Sequence, residues 1–361
     1  MEIKQVLIIT DVNFWEGGAG HRARISSLVS FLSSNTALTI LYVGQAKVLS
    51  ENAFLERYSC RVIASNNLRK VPTDQYAMQV GTLLTGLKFD AVIVEYIHNT
   101  YFLQFVNDEA EFILDCHDVV SERSKEFKRF EYPNRYYDLV EEEEFKLFKL
   151  YDYVIAICLP DFNKIEKIIS KEKTLLCPHA VVTFPGFIRE DVKNITFIGS
   201  EYLPNVDAIN SFVINCWPEI YKKHDVKLNI VGNVCKELSI KSDKINLLGF
   251  VADLTGVYQH ADIIINPVRF GAGLKIKNVE ALSKGKPLVT TKHGARGMYE
   301  GEGTAFLVGS TNEEFTSQLL NLIDDYSLRK WLSLNAITYT NENFSAEKCF
   351  SPLMQVIQVV V

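Results

Sequence analysis

The sequence predicts an α/β protein of two doubly wound domains, and three observations carry that prediction. Short apolar runs alternate with amphipathic stretches almost from end to end. The runs are apolar at successive positions, so both faces are buried, as in parallel strands covered by helices. They also fall into two sets of six. A chain of 361 residues is long enough to give each set a full core.

In the first half the strands are expected at Val6–Thr10, Leu38–Val43, Arg61–Ala64, Ala91–Glu95, Phe112–Cys116 and Tyr153–Ile157. In the second half they are expected at Ile195–Ile198, Lys227–Val231, Ile245–Leu248, Ile263–Asn266, Leu288–Thr291 and Ala305–Val308. Helix-like spacing marks Arg22–Ser33, Met78–Leu87, Tyr137–Leu150 and Val206–Tyr221. Pro185 and Gly186 punctuate the pattern near Phe184–Asp191. The domains are therefore expected at 1–186 and 187–340, with a helix over about 341–361 returning to the first. The acidic run Glu141–Glu144 reads as the solvated start of a helix, where acids suit the dipole.

Composition excludes several classes. A net charge of −6 argues against nucleic-acid binding, which wants a basic face. No run reaches the 18 apolar residues of a membrane span. The start MEIKQVLIIT enters a strand too soon for a secretory leader. Seven scattered cysteines without C-x-x-C read as reduced thiols of a cytoplasmic protein, and no metal is expected.

The stretch IIINPVRFGAGLKIKNVEALSKGKPLVTT (263–291) is the most telling. A strand runs into a loop containing Gly271 and Gly273; a helix from about Leu274 follows, closed by Gly285. Free amides and the positive helix end make such a junction an anion site. Lys275 and Lys277 oppose the macrodipole there, which marks a functional position and suits a diphosphate. The plainer account pairs Lys277 with Glu280 one turn on. Glu280 itself is placed to accept ribose hydroxyls, as a carboxylate does in dinucleotide folds.

Three further blocks follow strands. GGAGHRAR (17–24) puts Gly17, Gly18 and Gly20 before His21 and Arg22, a second anion-friendly loop or simply a tight connector. ILDCHDVVSER (113–123) places His117 and Asp118 at a strand's carboxyl end, where His117 can donate to a substrate hydroxyl; Asp115 or Asp118 would orient it, or His117 caps the next helix. FIGSEYLPNVDAI (197–209) sets Gly199, Ser200 and Asn205 where they could complete a phosphate pocket. No D-x-D occurs, so a metal-bridged diphosphate is not expected.

Taken together the blocks resemble the GT-B glycosyltransferases, family 4 in particular (glycosyl transferases group 1). FGAGLKIKNVEALSKGKPLVTT matches G-x-G-[LT]-[KR]-x-K-x-x-E-A-x-x-x-G-x-P-V-V nearly position for position, and LDCHDVVSER matches D-x-H-D-x-x-S-x-R. The resemblance implies two Rossmann-like domains facing a cleft, and a retaining transfer from a nucleotide-diphosphate sugar to a glycan or lipid-linked acceptor, with front-side attack and no cofactor. It implies that Gly273, Leu274, Lys275 and Ile276 cradle the diphosphate and that Glu280 holds the ribose. Phe250 and Val251 would read the base, His117 would contact the donor sugar, and Gly17 and Gly18 would lie near acceptor and phosphate. The first glutamate of the family's E-x7-E falls at Ala272, which leaves the donor sugar open. A non-catalytic nucleotide-sugar-binding partner and a GT-B-type epimerase are the alternatives. Lys125, Lys128, Arg129 and Arg135 among Phe127, Phe130, Tyr132, Tyr136 and Tyr137 suggest peripheral contact with the inner membrane face, or an amphipathic helix covering its own domain.

Overall fold

The computed structural model describes residues 3–45, 47, 48, 50–64, 74–107 and 109–359. The chain forms two compact units. The first gathers the chain up to Trp15, Arg24–Pro178 and the segment from Cys349 onward; the second gathers Glu16–Ala23 and His179–Lys348.

The first unit is built on β1 (Gln5–Thr10), β2 (Ala37–Tyr42), β3 (Arg61–Ala64), β4 (Ala91–Glu95), β5 (Glu111–Asp115), β6 (Tyr153–Ala156) and β7 (Thr174–Leu176). All pair in parallel, in the order β3-β2-β1-β4-β5-β6-β7. Val6–Ile9 are fully buried on both faces, which is why their sequence shows no alternation. β7 is not among the strands expected from the sequence: three residues behind Lys171–Lys173 are too short and polar-flanked to stand out.

The second unit carries β8 (Asn194–Ile198), β9 (Lys227–Val231), β10 (Ile245–Gly249), β11 (Ile263–Asn266), β12 (Leu288–Thr290) and β13 (Leu307–Val308), in the order β10-β9-β8-β11-β12-β13. In both sheets the chain steps outward for two strands, then returns to the far side of the first. The switch points lie between β1 and β4 and between β8 and β11, where doubly wound sheets bind ligands.

Several helices differ from expectation. The stretch expected at Tyr137–Leu150 is helical only over Glu141–Phe148. Its acidic start is not wholly solvated: buried Glu144 accepts from the amides of Val120 (2.6 Å) and Ser121 (3.0 Å). A carboxylate thus caps the neighbouring helix Val120–Arg129, satisfying two amides that helix geometry leaves unpaired. Val206–Tyr221 divides into Leu203–Asn215 and Trp217–Lys223, because Pro218 lacks the amide and the clearance to continue a helix. The basic–aromatic stretch is not one amphipathic helix either. Phe127 is buried in the helix that ends at Arg129, and Lys125 pairs with Glu122 (3.0 Å) and Glu141 (2.9 Å). Among the described residues no helix is long and apolar enough to cross a membrane.

The last helix, Ala346–Val359, sets Phe350 against Phe31 (ring centroids 5.1 Å apart) and beneath Arg24. All seven cysteines are free, and burial pushes the Cys60 and Cys177 thiols up to about 12, so neither is a nucleophile.

Candidate active site

In the second unit, the loop after β11 needs Gly271 (φ +111°) and Gly273 (φ +67°) to turn, a conformation that side chains strain. The helix it enters begins at Ile276, two residues later than the sequence suggested, and no side-chain hydrogen bond caps it. It ends at Ser283 in a Schellman motif: the Lys286 amide donates to Ala281 O (3.0 Å) and the Gly285 amide to Leu282 O (2.9 Å), with Gly285 left-handed.

The two lysines have different settings. Lys275 Nζ donates to the carbonyls of Ala272 (3.0 Å) and Gly273 (3.1 Å), its own loop. Lys277 Nζ donates to Asn205 Oδ1 (2.7 Å) and lies 4.4 Å above the Phe197 ring. Asn205 in turn donates to Ser200 O (3.2 Å) and Ser200 Oγ (3.3 Å). Gly199 leaves room for this: a Cβ there would sit 2.9 Å from the Phe197 ring and 3.2 Å from the Asn205 Cβ. Gly199, Ser200, Asn205 and Lys277, from two distant blocks, thus meet at the β8/β11 switch point.

The ion pair weighed between Lys277 and Glu280 is not formed. Glu280 instead accepts from Tyr258 Oη (3.1 Å). Burial, then Lys275, lowers the Lys277 ammonium to about 7. Burial raises Glu280 to about 7, which Tyr258 and the nearby lysines only partly offset. Tyr258 and Asn278 are additions to the expected set. Buried Asn278 accepts from Asn266 Nδ2 (2.8 Å) and donates to Gly294 O (2.9 Å), fastening the helix start to the end of β11.

The titration of this pair has a sign that can be followed. The unfolded chain keeps the Lys277 proton up to 10.5 and the folded chain to about 7. Between those values the unfolded state binds more protons, so this group's contribution to stability rises with pH. For Glu280, unfolded at 4.5 and folded at about 7, the folded state binds more, and stability falls across that window. An anion beside charged Lys277 and a hydroxyl beside ionised Glu280 want opposite pH. Nucleoside-diphosphate affinity is therefore expected to peak near neutrality. Calorimetric titrations at about pH 5.5, 7 and 8.5 test this; a monotonic trend contradicts the paired roles.

Gly17, Gly18 and Gly20 lie so close to Ala252, Phe250 and Ile276 that a Cβ would come within 3.2, 2.2 and 3.1 Å of them. Phe250 is half exposed and Val251 half-buried. Arg22 donates to Gly17 O (3.0 Å) and pairs with Glu16 (3.5 Å), and the His21 side chain is exposed.

In the first unit, His117 follows β5 in a left-handed conformation (φ +56°), and Tyr96 follows β4 at φ +65°. Non-glycine residues there are strained, and such strain gathers at functional sites. The His117 ring stacks on Tyr96 at 4.0 Å and 12°, and its Nε2 lies 2.6 Å from Glu95 Oε2. Glu95 is thus the residue that orients His117. Asp115 and Asp118 are engaged elsewhere: Asp115 pairs with Arg24 at 2.7 Å, both 0% exposed, and Asp118 takes a two-pronged hydrogen bond from Arg123 (2.8 and 2.9 Å). No spacing rule links Glu95 to a histidine 22 residues away, so only the β4–β5 register reveals it.

Burial, with Asp115 beside it, raises the Glu95 carboxyl. Burial opposes the Arg24 charge, but Asp115 and Glu95 hold the guanidinium above its ordinary value. Glu95, Asp115 and His117 each place a ligand atom within 4.8 Å of the others. Arg24 already supplies the cation there, so the trio is a charge-balanced core cluster and does not fit a metal.

Residues 192–325 match the family model described as Glycosyl transferases group 1. An uncharacterized 44.6 kDa protein in the cps region of Klebsiella pneumoniae is 27% identical over 175 residues, 45% of this chain and 45% of that protein, so the match spans about half of either. Among solved structures, a glycosyltransferase from Rickettsia africae ESF-5 superposes with TM-score 0.68 at 15% identity, covering 100% of this chain and 99% of that one. Anabaena Alr3699/HepE in complex with UDP and glucose gives TM-score 0.70 at 14% identity (98% and 99% covered). TarM gives 0.73 at 10% identity, with 99% of each chain covered. The fold is that of the GT-B glycosyltransferases, and its second unit carries the group 1 glycosyl transferase match.

Proposed function

We propose that the chain is a glycosyltransferase of family 4 that moves a sugar from a nucleoside-diphosphate sugar to a glycan or lipid-linked acceptor. It works in the cytoplasm, without a metal and with retention of configuration, in surface-polysaccharide synthesis. The observation that carries the proposal is the meeting of Lys277, Asn205 and Ser200 at the β8/β11 switch point, with Glu280 one turn further on. Lys277 and the uncapped amides at the helix start face the place where a leaving diphosphate gains charge, and stabilise it. Lys275 shapes the loop whose carbonyls it holds. Glu280 receives the ribose hydroxyls. His117, steadied by Glu95 and Tyr96, donates a hydrogen bond to the sugar as charge builds at its anomeric carbon. No exposed carboxylate in the first unit's cluster offers itself as a nucleophile, which favours front-side attack with the leaving phosphate taking the acceptor proton.

The structures of Alr3699/HepE with UDP and glucose support the donor class. A TarM variant from S. aureus in complex with fondaparinux, alpha-GlcNAc-glycerol and UDP supports a glycan acceptor, and the cps-region relative supports the polysaccharide role. Ala272 favours a second reading, a nucleotide-sugar-binding partner without activity. An epimerase would need accessible paired carboxylates; Glu95 and Asp115 do come together, but both are fully buried.

Incubation with UDP-, GDP- and TDP-sugars, a panel of glycoside and glycan acceptors, and chelator, following nucleoside diphosphate released and the anomer formed on the acceptor, tests the proposal. Release from one donor, with the product anomer matching the donor's, supports it. Binding without release from any donor would move the assignment to the inactive partner.

A further inference from the structure

We propose that the corner formed by Asp11, His98 and Tyr137 in the first unit is a saccharide subsite, binding a pyranose of the acceptor. The inference rests on the glycosyltransferase reading and assigns a place to its second substrate. Asp11 follows β1, and Tyr96 and His98 follow β4. These strands flank the first unit's switch point, where ligands of such sheets bind.

Four rings run outward from that point. His117 stacks on Tyr96 at 4.0 Å, Tyr96 on His98 at 5.5 Å, and His98 meets Tyr137 at 5.5 Å. The inner end is buried, whereas the His98 side chain is 31% and Tyr137 43% exposed. The exposed end is held rather than loose. Asp118 grips Arg123, and Arg123 Nη2 donates to Tyr137 O (2.7 Å), so Asp118 anchors the ring row.

Polar groups border the rings. Asp11 Oδ2 lies 3.0 Å from His98 Nε2, and its Oδ1 accepts from Asn99 Nδ2 (3.0 Å). Burial opposes the Asp11 charge, but His98 and Asn99 hold its carboxyl below the ordinary value. It is ionised at neutral pH, and each oxygen keeps a second lone pair. Among the described residues neither His98 Nδ1 nor the Tyr137 hydroxyl makes a hydrogen bond. A pyranose has the matching shape. Its C–H face covers an aromatic ring, and its rim hydroxyls meet a carboxylate, an imidazole nitrogen and a phenol.

The test is saturation-transfer NMR on the full chain with methyl glycosides of glucose, galactose, mannose and N-acetylglucosamine, alongside thermal shifts with UDP and GDP. At least one glycoside is expected to bind, and Tyr137→Ala and His98→Ala to weaken it by about tenfold or more. Tyr137→Phe, which keeps the ring and loses only the phenol, should weaken it less than Tyr137→Ala, and the exposed Leu334→Ala in the second unit should retain binding. His98→Gln replaces His98→Ala if the latter fails to fold. A nucleotide shift with no glycoside signal, or with a signal unmoved by both corner variants, overturns the subsite and leaves the donor assignment standing. Loss of both signals in folded protein overturns both.

Discussion

Lys277→Ala is expected to lower kcat/KM by about 10²–10³-fold, the usual cost of removing one donor aimed at developing charge. Stability should move by less than about 1 kcal/mol. The asymmetry follows from the setting of the ammonium. It is half-buried, and burial, then Lys275, lowers it to about 7, so its charged form costs desolvation. Its Asn205 contact and its place over Phe197 return only part of that cost. A diphosphate would supply the missing counter-charge. Steady-state kinetics with chemical denaturation of the same variant decide this; equal losses of folding and turnover would make Lys277 a structural residue. Lys275→Ala should behave differently. Its Nζ holds the carbonyls of Ala272 and Gly273, so loop geometry and turnover should fall together.

Arg24→Met should destabilise the protein by about 3–5 kcal/mol, because it leaves a buried carboxylate without its partner. Arg24 and Asp115 are fully buried, 2.7 Å apart, and the guanidinium also donates to Pro178 O (3.0 Å). With Arg24 gone, the Glu95 carboxyl, already raised by burial and by Asp115, loses a cation that lowers it and rises further. The folded state then binds protons that the unfolded state has released at neutral pH, so the loss grows as pH rises and is smaller near about pH 5. Denaturant midpoints across pH measure it. The double variant Arg24→Met/Asp115→Leu should recover much of the loss, as apolar replacement of a whole buried pair does.

Lys277, His117 and Glu144 show what the sequence could and could not convey. The strand–glycine–lysine–helix unit was legible because each part is local: an apolar run, glycines where φ turns positive, and a glycine closing the helix. Which lysine meets which partner was not, because Asn205 and Lys277 are 72 residues apart and meet only through the order β8–β11. The same holds for His117. Its place at a strand end was readable, but the adjacent aspartates drew attention from Glu95, which lies beside it only through the β4–β5 pairing. The acidic run misled in the opposite sense, since Glu144 turns inward to cap a helix whose start lies 24 residues earlier in the chain. Local chemistry was visible in spacing; partnerships across strands were not.

The central claim is that the β8/β11 switch point holds a nucleoside diphosphate through Lys277 and Glu280 without a metal. The most direct measurement is a thermal-shift titration of the wild-type chain and Lys277→Ala with UDP, GDP, TDP and CMP, each with and without chelator. A ligand that binds only the folded state adds about 2.7 kcal/mol at a hundredfold excess over Kd. The account predicts a clear shift with one diphosphate, unchanged by chelator and much reduced in Lys277→Ala. No shift from any of the four in folded protein, or a shift that chelator abolishes or Lys277→Ala leaves intact, would contradict it.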